Sequence, residues 1–315
     1  MKNILGYLRK KPKLYKYIRN IYGNTFGLWS IKTFYLKYIG IWNGKIRLKL
    51  LKEKWKDKII FNKIISGEPF MYARYGSSEF RAIINQKDFP LVCFYSGFFP
   101  EDIKLRDKFR EVYFEGTKQI DILGVWNYKN HFFKKTMLLR KFPNIKYITN
   151  GIDIKKKNKD WVVDSWVRSL ENKRILVIHP FKKTIELQMK KRKQLGILPK
   201  FKSFDIIKSV QTLAGNRDLR FKNWFEALEY MKKKINNKNF DILLIGCGAY
   251  GLPLAAHAKS LNKQAIHMGG SLQLLFGIKG KRWEDAGWKF DKNWIYPLEE
   301  DRIKNYKDIE GGCYW

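Results

Sequence analysis

The chain has little cysteine and histidine, and neither residue type forms a recognisable cluster. Its 315 residues include Cys93, Cys247 and Cys313, which are too few and too scattered for a disulfide framework or a zinc site. The four histidines form no His-x-x-x-His pair, and no Ser/His/Asp order typical of a hydrolase is present. We therefore expect a protein of a reducing, cytoplasmic environment.

Long uncharged runs are also missing. The run between Arg19 and Lys32 has 12 residues, whereas a membrane-spanning helix needs roughly 20. Residues 242–258 form a longer run, but their glycines and Pro253 fit a strand followed by a helix. The basic N-terminus has no continuous apolar core. We therefore predict neither a transmembrane helix nor a signal peptide.

Acidic residues are scarce, most of all near the N-terminus. The chain has 64 Lys and Arg against 29 Asp and Glu, a net charge of +35, and residues 1–50 have 12 basic residues and no acid. Lysine outnumbers arginine 49 to 15, which is typical of A/T-rich coding and makes the total charge a weak guide to partners. The local asymmetry is more informative.

Apolar residues in this basic segment are spaced as on a helix. The two stripes comprise Leu14, Ile18, Ile21 and Tyr22, then Leu48, Leu51, Trp55 and Ile59. We predict that residues 1–58 form a basic amphipathic, helical arm that binds an anionic membrane surface, at about 1 kcal/mol per basic residue near the headgroups. The protein would then lie peripherally on the inner face of the cytoplasmic membrane. The alternative is that these helices pack on the core. No nucleic-acid recognition signature is present, so we expect no nucleic-acid partner.

Residues 59–315 alternate short apolar runs with helical patterns. This alternation predicts an α/β domain, with a Rossmann-like, mostly parallel sheet and helices on both faces. The predicted strands cover residues 69–73, 91–95, 120–126, 175–179, 241–245 and 264–268. The predicted helices cover residues 78–86, 103–117, 133–142, 161–172, 184–194, 223–235 and 252–261.

A ligand-binding β-α-β unit is predicted at residues 240–270. Gly246, Gly248 and Gly251 follow a strand with the spacing G-x-G-x-x-G, and Tyr250 lies inside this turn. Glycines so placed let the backbone approach a phosphate group at the start of the next helix. A turn that only packs helix against strand is the alternative.

This unit does not favour a dinucleotide. An NAD site usually has an acidic residue at the end of the second strand, to hold the ribose hydroxyls. Residues 266–270 are Ile-His-Met-Gly-Gly, without a carboxylate. A nucleotide-sugar fits this pattern better than NAD.

Polar residues follow several predicted strands directly. They include Arg74, Asn127, His179 and His267. Because ligands of parallel sheets bind beyond the carboxyl ends of the strands, we expect these side chains to converge on one site. A histidine at such a position is also often a structural, hydrogen-bonded residue.

The segment Arg74-Tyr75-Gly76-Ser77-Ser78-Glu79 resembles the signature turn of the GT-D fold glycosyltransferases. The similarity covers roughly residues 65–280 and includes the closing β-α-β unit. It implies a nucleotide-sugar donor, with Tyr75 and Gly76 at the nucleotide and Glu79 at the catalytic centre. Arg74 suits the diphosphate, because its guanidinium can bind two oxygens at once. Ser77 stands where the family has an Asp.

The serine puts the family's metal ion in doubt. Mn²⁺ and Mg²⁺ prefer carboxylate oxygens, and Glu79 with a hydroxyl is a weak ligand set. The metal would be held at Glu79 and by the diphosphate, or lysines and helix N-termini would replace it. Glu79 could instead deprotonate the acceptor. The structural alternative is that Glu79 only stabilises the helix, because a carboxylate in the first turn interacts favourably with the helix dipole.

Two C-terminal features complete the prediction. Residues 276–283 form a glycine-punctuated basic loop, in which Lys279 and Arg282 could cover a phosphate as a lid; a plain surface loop is the alternative. The aromatic segment 311–315 is expected to dock on the domain.

These residues predict a glycosyltransferase of the hexosyltransferase type. It would transfer a sugar from a nucleotide-sugar to a lipid-linked or glycan acceptor in bacterial surface polysaccharide or glycoprotein-glycan assembly. The alternatives are a non-catalytic relative that binds the nucleotide-sugar and an NAD-dependent oxidoreductase.

Overall fold

The fold is known from a computed structural model. It describes residues 41–43, 46–50, 53–124, 142, 144–145, 147–149, 155–157, 160–162 and 165–315. The predicted stripe at Leu14–Tyr22, the predicted helix at 133–142 except for Phe142, and Asn127 lie outside these residues.

The described strands form one large sheet and one small hairpin. They are β1 (Ile41–Asn43), β2 (Ile46–Leu50), β3 (Phe70–Arg74), β4 (Ile122–Gly124), β5 (Tyr147–Thr149), β6 (Lys155–Lys157), β7 (Asp160–Val162), β8 (Arg174–His179), β9 (Ser203–Lys208), β10 (Ile242–Ile245) and β11 (Gln264–His267). The sheet order is β1-β2-β5-β4-β3-β11-β10-β8-β9, and β6 pairs with β7. From β2 to β9 every pairing in the sheet is parallel, whereas β1 is antiparallel to β2.

Helices cover both faces of the sheet. They are α1 (Glu53–Ser66), α2 (Ser77–Ile84), α3 (Phe89–Ser96), α4 (Arg106–Thr117), α5 (Ser165–Arg168), α6 (Lys182–Lys190), α7 (Arg192–Leu195), α8 (Trp224–Asn236), α9 (Gly251–Ser260), α10 (Leu272–Leu275) and α11 (Lys281–Asp285).

Alternate residues of each central strand enter two different cores, because successive side chains of a strand point to opposite faces. Leu243 and Ile245 pack with Trp224 in one core. Ile242 and Leu244 pack in the other. All four residues of β10 are buried, which explains its uninterrupted apolar sequence. The α/β prediction with helices on both faces is confirmed.

Five predicted strands are confirmed within one or two residues at the described positions, but the strand predicted at 91–95 is wrong. The segment is helix α3. Pro90 lies in the first turn, where proline is tolerated, and Gly97 ends the helix with φ +82°. Because α3 is apolar nearly all round, its sequence shows no helical period, and a short apolar run cannot separate strand from helix.

Three further segments differ from the prediction. The helix expected through Leu48 is strand β2, and helix α1 begins only at Glu53. The helix expected at 161–172 is reduced to α5, after strand β7. Strand β9 was not predicted, because as an edge strand it buries only Ile206 and Ile207.

The predicted boundary between the N-terminal segment and the α/β domain does not fall between elements of the structure. The predicted division between residues 58 and 59 falls inside α1, and β2 pairs with β5 in the main sheet. Among the described residues, no helix is both long and apolar enough to cross a membrane.

Candidate functional site

A cavity of about 150 Å³ opens at the carboxyl edge of the sheet. The residues after β3, β8, β9, β10 and β11 all contribute to its walls, as expected for a ligand site of a parallel sheet. The residues that line it from these strand ends include Arg74, Gly76, Ser77, Ser78, Glu79, His179, Ser209, Gln211, Gly246, Cys247, Gly248, His267, Gly269 and Gly270.

Arg74 extends from the end of β3 across the end of β11. Its guanidinium donates a hydrogen bond to the carbonyl of Met268 at 3.3 Å. A Cβ atom on Gly269 would lie 3.3 Å from the Arg74 Cζ atom, and Gly269 has φ +67°. Glycine at 269 therefore allows both the left-handed turn and the close approach of the guanidinium.

Glu79 folds back over the turn that precedes α2. A Cβ atom on Gly76 would lie 1.9 Å from the Glu79 Oε2 atom, so the absence of a side chain at Gly76 makes room for this carboxylate. Glu79 is buried, with 5% exposure. The Ser78 hydroxyl donates to Glu79 at 3.1 Å and also bonds the Ser96 hydroxyl at 2.5 Å. The carboxylate is thus held in a fixed orientation at the cavity wall.

Tyr75 lies outside the cavity, although we predicted it to contact the nucleotide. Its ring is buried and stacks on Tyr113 with 6.1 Å between ring centroids. Its hydroxyl bonds to Thr117, and burial raises the pKa of Tyr75 above its usual value. Because side chains alternate along an extended segment, Tyr75 points into the core while its neighbours Arg74 and Gly76 face the site.

The glycines after β10 are held by protein contacts. A Cβ atom on Gly246 would lie 2.7 Å from the carbonyl oxygen of Gly269, and one on Gly248 would lie 2.6 Å from the carbonyl oxygen of Ser96. Gly248 also has φ +57°. Both residues line the cavity, but their lack of a side chain is required by packing against β11 and α3.

The third glycine of the motif, Gly251, makes room for the His267 ring. A Cβ atom on Gly251 would lie 2.2 Å from His267 Nε2, and Gly251 does not line the cavity. Tyr250 does line it, and its ring stacks on Trp224 with centroids 5.3 Å apart. The glycine turn therefore joins the cavity through Gly246, Gly248 and Tyr250.

The two histidines at the strand ends are neutral at physiological pH. Burial lowers the pKa of His179 to about 3, and burial together with the Arg74 guanidinium lowers the pKa of His267 to about 3. His179 Nδ1 accepts a hydrogen bond from the backbone N–H of Phe181 at 3.1 Å. The neutral ring therefore carries its proton on Nε2, which makes that nitrogen a donor.

Cys247 has little thiolate character. Burial raises the pKa of its thiol above the usual value. Since the thiolate is the nucleophile, this cysteine is not suited to covalent catalysis.

Lys279 does not reach the cavity, contrary to its predicted place in a lid. Its ammonium pairs with Glu284 at 3.3 Å and lies 4.3 Å from the centroid of the Tyr296 ring. Arg282 of the same segment does line the cavity. Lys279 precedes α11, whereas Arg282 is the second residue of that helix, so the two side chains have different surroundings.

The C-terminal segment forms one wall of the cavity. Tyr314 and Trp315 line it, and the Trp315 ring packs against Phe181 with centroids 5.6 Å apart. The docking expected from the aromatic sequence is found. The sequence analysis did not predict that Tyr314, Trp315, Ser96 and the end of β9 line the site. Of these, only Tyr314 and Trp315 carried a signal in the sequence, the unusual aromatic content of residues 311–315.

The described residues do not build a divalent cation site. Among them, no three His, Cys, Asp or Glu side chains come together as metal ligands. Of the residues that the structure describes, two carboxylates line the cavity, Glu79 and Glu310, and Glu310 is paired with Arg282. One carboxylate with serine hydroxyls provides fewer oxygen ligands than Mg²⁺ or Mn²⁺ usually receives.

Comparison with known proteins gave structural similarity only. No protein-family model and no curated protein matches the chain. Two solved structures of domain of unknown function 1792 are similar, each at 13% identity. The first, a selenomethionine-substituted structure, has a TM-score of 0.42 and covers 83% of this chain and 94% of its own. The second, described as having a distinct glycosyltransferase fold, has a TM-score of 0.41 and covers 84% and 90%.

Proposed function

We propose that this protein is a glycosyltransferase whose donor is a nucleotide-sugar bound in the cavity at the carboxyl edge of the sheet. The observation that carries the proposal is the convergence of Arg74, Glu79 and the Gly246–Gly248 turn on that one cavity. A guanidinium group suits a diphosphate because its planar fork binds two oxygens. A carboxylate in the same cavity suits an acceptor hydroxyl.

Each side chain takes a role that its contacts allow. Arg74 binds the diphosphate beside the Gly269–Gly270 turn. The neutral His179 donates a hydrogen bond from Nε2 to the bound nucleotide-sugar. The oxygen of the acceptor hydroxyl forms a bond to the anomeric carbon of the donor, and Glu79 accepts the proton of that hydroxyl. The Ser78 hydroxyl orients this carboxylate, and Ser77, which lines the cavity, orients the acceptor.

The acceptor that we propose is a lipid-linked or glycan hydroxyl, as in bacterial surface polysaccharide or glycoprotein-glycan assembly. The basic composition of residues 1–50 supports a peripheral position on an anionic membrane. A lipid-linked acceptor lies on the same membrane surface.

The second candidate is a nucleotide-sugar-binding protein without turnover. It is favoured by Ser77, because this serine leaves Glu79 as the one carboxylate in residues 74–79 of the β3–α2 turn. An NAD-dependent oxidoreductase is less well supported, because β11 ends at His267 and is followed by Met268, without a carboxylate to hold the ribose hydroxyls. In addition, Gly251 accommodates a histidine ring.

Release of nucleoside diphosphate from a panel of UDP-, GDP- and dTDP-sugars tests the proposal. The assay uses purified protein with membranes as the acceptor source. Glu79→Gln keeps the shape of the side chain but removes its charge, and we expect it to lower turnover about 10²–10⁴-fold while donor binding is retained. Binding of a nucleotide-sugar without any turnover would favour the second candidate, and binding of NADH alone would favour the oxidoreductase.

A further inference from the structure

Arg282 is a second guanidinium in the cavity, supplied by α11 rather than by a strand end. It donates a hydrogen bond to the Tyr314 hydroxyl at 3.2 Å and forms an ion pair with Glu310. Its Cζ atom also lies 4.6 Å from the centroid of the Tyr314 ring. Arg282 therefore has a fixed position, with one side on the tyrosine ring.

Tyr314 connects Arg282 to the turn that contacts Arg74. A Cβ atom on Gly270 would lie 2.2 Å from the Tyr314 Cε1 atom, while its neighbour Gly269 contacts Arg74. Burial raises the pKa of Tyr314, and the charges of Arg282 and Arg74 oppose this increase. Tyr314 thus links Arg282 to the glycine turn that contacts Arg74, and both arginines line the same cavity.

Backbone hydrogen bonds hold this wall in place. The N–H of Arg282 donates to the carbonyl of Cys313 at 3.0 Å, and the N–H of Lys281 donates to that of Trp315 at 3.3 Å. The fully buried Gln273 amide donates to the Tyr314 carbonyl at 3.1 Å. Such preorganisation lets a charged group act without reorganisation during a reaction.

We propose that Arg282 and Arg74 together bind the diphosphate of the donor, and that donor binding and transfer need no divalent cation. The inference rests on the proposed function. In the transfer step, the bond between the anomeric carbon and the β-phosphate oxygen breaks, and its electron pair stays on that oxygen. The acceptor oxygen forms the new bond to the anomeric carbon and its proton passes to Glu79. The two guanidinium groups stabilise the negative charge that develops on the departing nucleoside diphosphate.

Glu310 gives the proposal a distinctive consequence. Its carboxylate pairs with Arg282, so a diphosphate that binds Arg282 competes with it. Removing this carboxylate frees Arg282 and also removes a negative charge from the cavity wall. Glu310→Gln should therefore bind the diphosphate more tightly than the wild type, whereas Arg282→Gln should bind it more weakly.

The test is isothermal titration of the full chain with UDP, GDP, dTDP and inorganic pyrophosphate, each in EDTA and in Mn²⁺. We expect binding of similar strength in both conditions. Arg282→Gln should weaken it about tenfold, the loss of one charge-assisted hydrogen-bonded contact, and Glu310→Gln should strengthen it several-fold. Lys279→Gln is the matched control, because Lys279 has the same charge and lies in the same segment but outside the cavity.

The outcomes separate the inference from the function on which it rests. Binding that appears only with Mn²⁺ would overturn the inference and leave the glycosyltransferase proposal standing. Wild-type affinity in a folded Arg282→Gln protein would do the same, and an unchanged affinity in Glu310→Gln would argue against Arg282 even if Arg282→Gln fails to fold. Failure of all four probes to bind in either condition would contradict the glycosyltransferase proposal itself.

Discussion

At the scale of single residues, the β3–α2 turn shows how a missing side chain orients a functional one. Gly76 has φ −67° and ψ 165°, a conformation open to any residue, so conformational freedom does not explain the glycine. Instead, the Glu79 carboxylate occupies the place of its Cβ atom. The sequence pattern Arg-aromatic-Gly-x-x-Glu therefore has a direct physical reason in this chain.

We predict that Gly76→Ala lowers turnover strongly while leaving stability nearly unchanged. The new methyl group must displace Glu79 Oε2, which is the far end of a flexible side chain, and alanine fits the backbone angles. The measurement is kcat beside the urea midpoint. In a Glu79→Gln background the same substitution should add little, because the two changes act on one group. A fully additive loss would mean that Gly76 acts on something other than Glu79.

The buried neutral histidines predict a loss of stability in acid. Each has a pKa of about 3 in the fold against an ordinary value of 6.5, so between these values the unfolded chain binds more protons. The free energy of unfolding should therefore fall as the pH falls below about 6.5, by up to about 1.4 kcal/mol per pH unit for each histidine.

His179→Gln isolates one of these contributions. Glutamine can still accept from the Phe181 N–H but does not titrate, so the slope of unfolding free energy between about pH 4 and pH 6 should be smaller than in the wild type. Urea unfolding at a series of pH values measures this slope. Burial also lowers the pKa of the half-buried His257, though no large shift is found there, so His257→Gln is the comparison and should reduce the slope less than His179→Gln does. Equal slopes in wild type and His179→Gln would contradict a depressed pKa at His179.

At the scale of elements, the G-x-G-x-x-G turn is a packing device as well as a cavity wall. Gly246 contacts the β11 end, Gly248 contacts the α3 end and Gly251 contacts the His267 ring. The motif therefore fixes the mutual positions of three elements around the cavity. A substitution at these glycines changes the fold locally before it changes ligand contacts.

We predict that Gly248→Ala destabilises the protein more than Gly215→Ala does. Both glycines have positive φ, +57° and +72°, so both substitutions carry the strain of a left-handed backbone. Only Gly248→Ala adds a close contact, because the new Cβ atom would lie 2.6 Å from the Ser96 carbonyl oxygen. Nothing lies within 4 Å of a Cβ atom on Gly215. The difference in unfolding free energy, measured in urea, should exceed about 1 kcal/mol. Equal losses would show that α3 moves aside at no cost.

The same elements show how far the sequence alone predicts this structure. Uniformly buried strands such as β8 and β10 were predicted correctly because their apolar runs are continuous. Helix α3 was mistaken for a strand because its short sequence is apolar nearly all round and shows no helical period, and β9 was missed because it is an edge strand. Arg74 and Glu79 were predicted from a local motif, but Arg282, Tyr314 and Ser96 reach the site only through tertiary packing, which no local pattern encodes.

At the scale of the whole molecule, charge is distributed unevenly between the two ends of the chain. Residues 1–50 have 12 of the 64 basic residues and none of the 29 acidic ones. The described part of that segment includes strands β1 and β2, and β2 pairs within the main sheet. A membrane-binding role is therefore best tested on residues 1–40 in the intact chain, without deleting strands.

We predict that the full chain binds anionic vesicles at low salt and dissociates at high salt. Surface charges are screened within about 8 Å at physiological ionic strength and about 3 Å at 1 M salt. Sedimentation with phosphatidylserine-containing and purely zwitterionic vesicles measures this binding. A variant with the nine Lys and Arg of residues 1–40 changed to Gln should remain in the supernatant. Equal sedimentation of this variant and the wild type would remove these residues from the membrane proposal.

The central claim is that the cavity at the carboxyl edge of the sheet binds a nucleotide-sugar through Arg74. Its most direct test is a calorimetric titration of the nucleotide-sugar selected by the turnover panel into wild type, Arg74→Gln and Arg110→Gln. Arg110 is a half-buried arginine of α4 that pairs with Asp107 and does not line the cavity, so it controls for the loss of one positive charge. We predict saturable binding to wild type and Arg110→Gln and about tenfold or greater weakening in Arg74→Gln. Undiminished affinity in a folded Arg74→Gln protein would contradict the claim.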